Sequence, residues 1–461
     1  MNRETDRCLH GIRLVRRQAS IYNQDRDLTI LNAPGRTEFV AICAVLMATV
    51  ALSIDIILPA MGNMAGNLGI DGNNERQWII TTLFVGLAIG QLVFGPLSDG
   101  IGRRPAIAVG IGVFVAGSTL CALATSFEAM MLGRVVQGFG AAGPRIVTVA
   151  LIRDRMAGAE MARTMSLIMG LFIMVPVLAP AVGQALLFLM PWRGLFGVLA
   201  AVCLGGGLWL LLRQPETLAQ RRSVRPRALF AALFEVLRSP RSMAYTLAGG
   251  CCYGALMGYV NSSQQLFQDF YQVGNLYAVI FGASAAFISA ATLTNSRLVR
   301  SVAMERVCVV AVAAMVAWSL LFLVAIAAMA SRPPLWAWMV FNCPVLFLLG
   351  LTFGNFNAIA LRDLGHIAGL ASAVMASLNT ALSLVIAAWI GLGFDMTTRP
   401  VVVGYALFGS LALGLMLIPE LQSPRKDGRA KTLLRNSESQ LNDRDSMSIR
   451  RGFAVAHKAP D

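Results

Sequence analysis

Asp55 is the one acid deep inside an apolar run, in the stretch Ser53-Ile-Asp55-Ile-Ile-Leu-Pro59-Ala60. Arg134 and Arg145 are its basic counterparts, both in the run that ends near residue 151. Holding a charge inside hydrocarbon costs a few kcal/mol, so each is a functional candidate, the alternative being a structural ion pair. A carboxylate so placed can carry a proton, because its proton affinity depends on how wet the site is and on nearby positive charge. Asp55 and Arg134 both lie roughly 8–9 Å below the same end of their runs, so they can pair or share a cavity. Arg145 follows eleven residues later, a rotation of about 20° past three full turns, on the same helix face. Gly138 and Ala141 lie between the arginines on that face. Small residues there suit a wet cavity wall or close helix packing, and the flanking arginines favour the cavity. No other chemistry stands out. The eight cysteines fall mostly in apolar runs, with no C-x-x-C pair and no metal spacing, and the three histidines lie outside those runs. Neither a cofactor nor a metal is expected. There is no G-x-x-x-x-G-K-[ST] phosphate loop and no evident nucleophile with its base, so an enzyme is not expected.

These charges need apolar helices to hold them, and the composition supplies them. Of 461 residues, 56% are hydrophobic and 13% charged, and the mean hydropathy is +0.66, values of a multispanning membrane protein. Apolar runs between charged breaks predict spans near 38–60, 78–98, 105–125, 128–151, 164–190, 194–212, 242–264, 275–296, 306–330, 335–360, 367–393 and 400–419. The fold class expected is therefore an all-α membrane protein of twelve transmembrane helices in two six-helix bundles. Domain boundaries are placed at a 1–36 N-terminal segment, a 37–213 bundle, a 214–240 central loop, a 241–420 bundle and a 421–461 tail. Of the 38 Lys and Arg, 32 fall on one set of loops and termini and four on the other. That bias places both termini and the central loop in the cytoplasm. The net charge of +14 is thus a topology signal, and no nucleic-acid partner is expected. No cleavable signal peptide is expected at the N terminus. The tail reads as disordered, and 228–238 (ALFAALFEVLR) as an interfacial helix or a solvated linker.

The second and third runs are joined by Gly95-Pro-Leu-Ser-Asp99-Gly-Ile-Gly102-Arg103-Arg104-Pro105. This loop resembles the loop 2–3 motif of the major facilitator superfamily, matching at Gly95, Leu97, Asp99, Gly102, Arg103 and Arg104 and departing at Ser98 and Gly100. Gly133-Arg134-Val-Val-Gln137-Gly138 resembles the fourth-helix motif of proton-coupled facilitators, whose arginine is implicated in coupling. Pro176, Pro180-Ala-Val-Gly183 and Gln184 resemble the fifth-helix antiporter motif, with Ala179 and Gln184 in place of two glycines. The Asp55 stretch is similar to the first-helix signature of Bcr/CflA-type drug:proton antiporters. The resemblance is clear over the first six helices and loose over the last six. It implies the two-bundle facilitator fold and proton-driven efflux of small, drug-like molecules through the bacterial inner membrane. It also implies a conformational latch in which Asp99 meets the start of the eleventh helix and pairs with Arg153.

The second half offers neutral polarity to a cavity: Asn261 and Gln265 on helix 7, Asn355 on helix 10, Asn379 on helix 11. A faint repeat links the halves, Ala150-Leu-Ile-Arg153-Asp154 closing the fourth helix and Ala360-Leu-Arg362-Asp363 the tenth. The expected function is export of small molecules in exchange for protons by a monomer in the lipid bilayer. The alternative is proton-coupled import of a specific, possibly anionic, metabolite, which two arginines on one cavity would favour.

Overall fold

In hydrocarbon every backbone N–H and C=O must bond internally, so long apolar runs fold as helices. The computed structural model describes residues 34–70, 74–156, 158–218, 226–329 and 332–422, and it is all-helical there. The expected tail, and most of the N-terminal segment, lie outside the described residues. In chain order the long helices are α1 (Arg36–Asn67), α2 (Trp78–Ile101), α3 (Arg103–Leu123), α4 (Phe127–Arg155), α5 (Gly158–Leu187) and α6 (Trp192–Arg213). A connecting helix, Pro226–Arg238, leads to α7 (Pro240–Gln264), α8 (Tyr277–Leu298), α9 (Met304–Met329), α10 (Leu335–Leu361), α11 (Ala368–Leu392) and α12 (Arg399–Gln422). The described residues up to Leu415 cluster as one compact unit; Met416 onward, the end of α12, is a second.

Among the described residues, ten of these helices are long and apolar enough to cross a membrane. The other two are α5, of which Met174–Leu187 is the uninterrupted described stretch, and α7. The reason for α7 is physical. It is rich in Gly, Ser, Cys and Tyr, and nearly all of it is buried, Gly249–Gln264 almost continuously. A helix covered by neighbours all round has no lipid face to make apolar. It continues into a π-helical turn, Gln265–Phe270.

Helices α1–α6 pack mainly on one another, with α4 between α2 and α3; α7 packs on α10 and α11, and α8 on α10. The two groups meet along α2–α11 and α5–α8. Glycine sets the closest approaches. A Cβ on Gly282 of α8 would lie 2.6 Å from the Val177 carbonyl of α5, and one on Gly90 the same distance from the Phe139 carbonyl of α4. Two helices are broken: α1 around Ile56–Ile57, before a 3-10 turn that contains Pro59, and α10 at Leu351–Thr352.

Candidate functional site

Asp55 is the last residue of the first segment of α1, at the break, and is only 5% exposed. Two contacts fix the backbone on either side of it. The Ser53 carbonyl accepts from Arg134 Nη1 at 3.0 Å. The Ile56 carbonyl lies so close to Gly183 of α5 that a Cβ at 183 would collide with it. Among the described residues no cation pairs with Asp55. Its electrostatic neighbours come from the other half: the Tyr253 hydroxyl on α7 and the Tyr277 hydroxyl on α8 both feel its charge. Tyr277 is fully buried and shares a 3.0 Å hydrogen bond with Ser263 of α7.

Arg134 is at the right level and does not pair with Asp55. It is completely buried, and its guanidinium ties α4 to its neighbours: Nε donates to the Ile79 carbonyl of α2 at 2.8 Å and Nη1 to Gln137 Oε1 at 2.6 Å. Gln137 Nε2 donates in turn to Ser118 Oγ of α3 at 2.8 Å. Nη2 alone has no hydrogen bond. Arg145, by contrast, is half-buried and has Tyr253 of α7 within electrostatic range. The two arginines serve different ends. One is consumed by hydrogen bonds inside its half, and the other lies within electrostatic range of Tyr253 in the second half.

The small and neutral residues divide differently from the cavity expectation. Gly138 backs onto the Leu83 carbonyl, which a Cβ would strike, so it belongs to the α2–α4 seam rather than to a cavity wall. Asn355 exchanges hydrogen bonds of 2.9 and 3.1 Å with Asn295 and donates to the Leu351 carbonyl at 2.9 Å. It locks α8 to α10 beside the break in α10. Asn379 lies against α7, its Nδ2 2.9 Å from where a Cβ on Gly249 would be. Asn261 donates to Thr81 Oγ1 at 3.4 Å, leaving its own Oδ1 without a partner. Gln265 Oε1 accepts from Gln77 Nε2 at 2.5 Å, and its Nε2 donates to Asn74 Oδ1 at 3.3 Å.

Those last contacts belong to a seam that sequence reasoning missed. Asn74 donates to the Leu392 and Phe394 carbonyls, each at 2.9 Å. Arg76 forms an ion pair with Asp269 on the π-helical turn. Farther along, Ser377 Oγ donates to the Ala88 carbonyl at 2.9 Å and Thr380 Oγ1 to Gln91 Oε1 at 3.3 Å. All of these join the first half to the second.

At the opposite end, the 95–105 motif builds a cage within the first half. Arg103 Nη1 donates to Asp99 Oδ1 at 2.6 Å and to Ser98 Oγ at 2.8 Å, and Nε to Asp154 Oδ2 at 2.8 Å. Asp99 thus bonds Arg103 rather than Arg153, which reaches α11 itself: its Nη1 lies 3.2 Å from where a Cβ on Gly369 would be. Glu216, beyond α6, accepts from the backbone N–H groups of Arg103 and Arg104 at 2.9 and 3.1 Å. An acid there satisfies two of the free donors of the α3 N-terminus and its positive dipole end. Arg104 in turn donates to the Leu211 carbonyl. Gly102 has φ +113°, and a Cβ on it would lie 2.7 Å from Glu216 Oε2, so the motif needs glycine twice over. Gly95 faces Ala373 of α11. Pro176 and Pro180 lie inside α5.

Comparison with known proteins accords with this architecture. A D-xylose-proton symporter structure superposes with a TM-score of 0.64 at 13% identity, covering 82% of this chain and 97% of that one. The human organic anion transporter MFSD10 gives 0.56 at 16%, covering 84% and 99%. At such identities the likeness is one of fold. The MFS-type transporter YdgK of Bacillus subtilis is 27% identical over 372 residues, 79% of this chain and 90% of its own length. The multidrug resistance protein MdtL of Salmonella heidelberg is 30% identical over 218 residues, 47% of this chain and about half (54%) of MdtL. A bicyclomycin resistance protein homolog of Haemophilus influenzae is 26% identical over 278 residues, 60% of this chain and 70% of that protein. Residues 43–390 match the Major Facilitator Superfamily model. The chain therefore belongs to the Major Facilitator Superfamily, a family of membrane transporters and not of enzymes.

Proposed function

We propose that the chain exports small, drug-like molecules across the inner membrane in exchange for protons, with Asp55 as the proton carrier and Arg134 as its coupling partner. The observation that carries this reading is the position of Asp55: buried, without a paired cation among the described residues, at a helix break, with two tyrosines of the other half within electrostatic range. Opening of the Arg76 end draws Tyr253 and Tyr277 away and wets the carboxylate, which then takes a proton from outside. Closure returns it to a dry site. Opening of the Arg103 end lets the proton leave inward, and the free Arg134 Nη2 is the donor that receives the newly ionised carboxylate. Cargo that is cationic or donates hydrogen bonds competes with the proton for the same oxygens, which gives exchange. The names borne by MdtL and the bicyclomycin resistance homolog support drug-like cargo. The charge bias supports placing the Arg103 end, both termini and the central loop in the cytoplasm; the chain is proposed to act as a monomer. The proposed bundles are 37–213 and 241–420. The latch that ties them on the cytoplasmic side is proposed to be Gly95, Asp99, Gly102, Arg103, Arg104 and Arg153, with Pro176, Pro180 and Gly183 shaping α5.

One observation favours the second reading, import of an anionic metabolite: Arg145 is half-buried, has no acid paired with it among the described residues, and lies within electrostatic range of Tyr253 on α7. Proton release from purified protein on adding cargo, paired with susceptibility of an efflux-deficient strain to a compound panel, decides between them. Export predicts resistance, and loss of proton release in Asp55→Asn; release that persists in Asp55→Asn places the coupling site elsewhere. Uptake abolished by Arg145→Ala, with no resistance phenotype, establishes the importer.

A further inference from the structure

The connecting helix Pro226–Arg238 has two apolar faces, and the packing uses only one. Ala232 and Val236 are buried where the helix packs on α11. Ala231, Phe234 and Leu237 form a second stripe that faces outward, Phe234 at 54% and Leu237 at 48% exposure. The Arg238 guanidinium lies 4.0 Å from the centre of the Phe234 ring, so the stripe ends in a cation riding on an aromatic face. Residues 213–241 contain seven arginines and only two acids, Glu216 and Glu235, and Glu216 is committed to the α3 N-terminus. Apolar surface extends to this end of the molecule: Leu212, at the end of α6, is 81% exposed immediately before Arg213. An apolar stripe bordered by cations, next to the end of a membrane-spanning helix, matches the boundary where acyl chains give way to phosphates.

We propose that this helix is a lipid-reading strap: Phe234 and Leu237 enter the acyl boundary of the leaflet at the Arg103 end, and Arg238 holds anionic phospholipid headgroups. The proposal requires only that the chain spans a membrane; it is independent of cargo and of the direction of transport. Because the helix joins the halves and packs on α11, its hold on the leaflet also anchors the second half against the first.

The test uses the full chain with Cys8→Ser and Phe234→Cys, labelled with bimane; the described native cysteines are all buried. An Ala231→Cys version guards against a local effect of the label. In phosphatidylcholine vesicles containing phosphatidylglycerol, the emission shifts to the blue, shallow doxyl lipids quench it, and aqueous iodide does not. Arg238→Gln should weaken the phosphatidylglycerol dependence about fivefold, the worth of one cation at a charged surface. Iodide quenching equal to that of the detergent-solubilised protein overturns the strap. A blue shift equal in phosphatidylcholine alone overturns the anionic headgroup assignment.

Discussion

The two ends of the molecule are built on opposite principles. At the Arg76 end polar groups are spent between halves: Arg76 with Asp269, Gln77 with Gln265, Asn74 with the last carbonyls of α11 and the residues after it. At the Arg103 end the Asp99–Arg103–Asp154 pairs and the Glu216 cap stay inside the first half, while Arg362–Glu305 and Arg241–Asp363 stay inside the second. A bond that joins halves must break for them to separate, so it sets a conformational equilibrium. A bond within a half survives every state, so it sets stability. In the cycle proposed above, the Arg76 end is the gate shut in this structure, and the Arg103 end is the rim, a first-half platform whose Gly95 and Arg153 meet α11.

The largest effect expected from this contrast is on stability at the rim. Arg103→Ala strips partners from Asp99, Ser98 and Asp154 and leaves two acids, Asp99 and Asp154, without their shared cation. The cost should be about 2–4 kcal/mol, less than for a fully buried pair because Asp99 keeps roughly a third of its side chain in solvent. Denaturant unfolding of the purified protein measures it; stability equal to the parent would break the contrast. Gly102→Ala should cost about 1–3 kcal/mol, from strain at a positive φ and from displacement of the Glu216 cap. Removing Glu216 first should remove the clash share of that cost and leave the φ share.

At the gate the expectation inverts. Asp269→Asn should leave unfolding unchanged and move the population open at the Arg76 end by about 5–30-fold. Spin labels on Leu189→Cys and Leu276→Cys, exposed residues just beyond α5 and just before α8, would show it as a longer distance component. Arg76→Gln should do the same, and the double variant should add little, because the two side chains act as one pair. A loss of stability with no change in distance would make the seam structural and erase the distinction between the ends.

How much of this was legible in the sequence follows the same division. The rim was legible because its residues are neighbours in sequence: Asp99, Gly102, Arg103 and Arg104 fall in one short turn. Its partners were not, and Glu216 came from beyond α6 and Asp154 from the end of α4. The gate was illegible. Arg76 and Asp269 are 193 residues apart, each an ordinary loop charge, and no spacing rule pairs them. Helical periodicity suggested one face for Arg134 and Arg145, yet it could not say that Gly138 packs against Leu83 instead of lining a cavity, because that depends on a neighbouring helix. Likewise the polarity of Asn355 was visible and its partner Asn295 was not. Tyr253 and Tyr277 carried a signal that went unused: tyrosines among small residues in α7 and at the start of α8, where an apolar run has no need of a hydroxyl.

The smallest expected effect sharpens the comparison inside the rim itself. The faint repeat pairs the end of α4 with the end of α10, and in each half the closing helix forms an ion pair with the start of the helix before it. The polarity is reversed: Arg103 on α3 meets Asp154 on α4, whereas Glu305 on α9 meets Arg362 on α10 at 2.6 Å. Their surroundings also differ. The Arg103 side chain is 4% exposed and held by several partners, while Arg362 is 44% exposed and holds one. An exposed pair is worth about 0.2–1 kcal/mol and is screened by salt. Arg362→Gln should therefore cost less than about 1 kcal/mol, and the difference should vanish in roughly 0.5 M salt, where the Debye length falls to a few Å. The Arg103→Ala deficit should persist there, since a buried guanidinium is poorly screened. If both deficits fade together with salt, the rim of the first half is a surface charge cluster like that of the second. If neither fades, the second half has a rigid rim of its own, and the asymmetry between the two halves at this end is one of charge sign only.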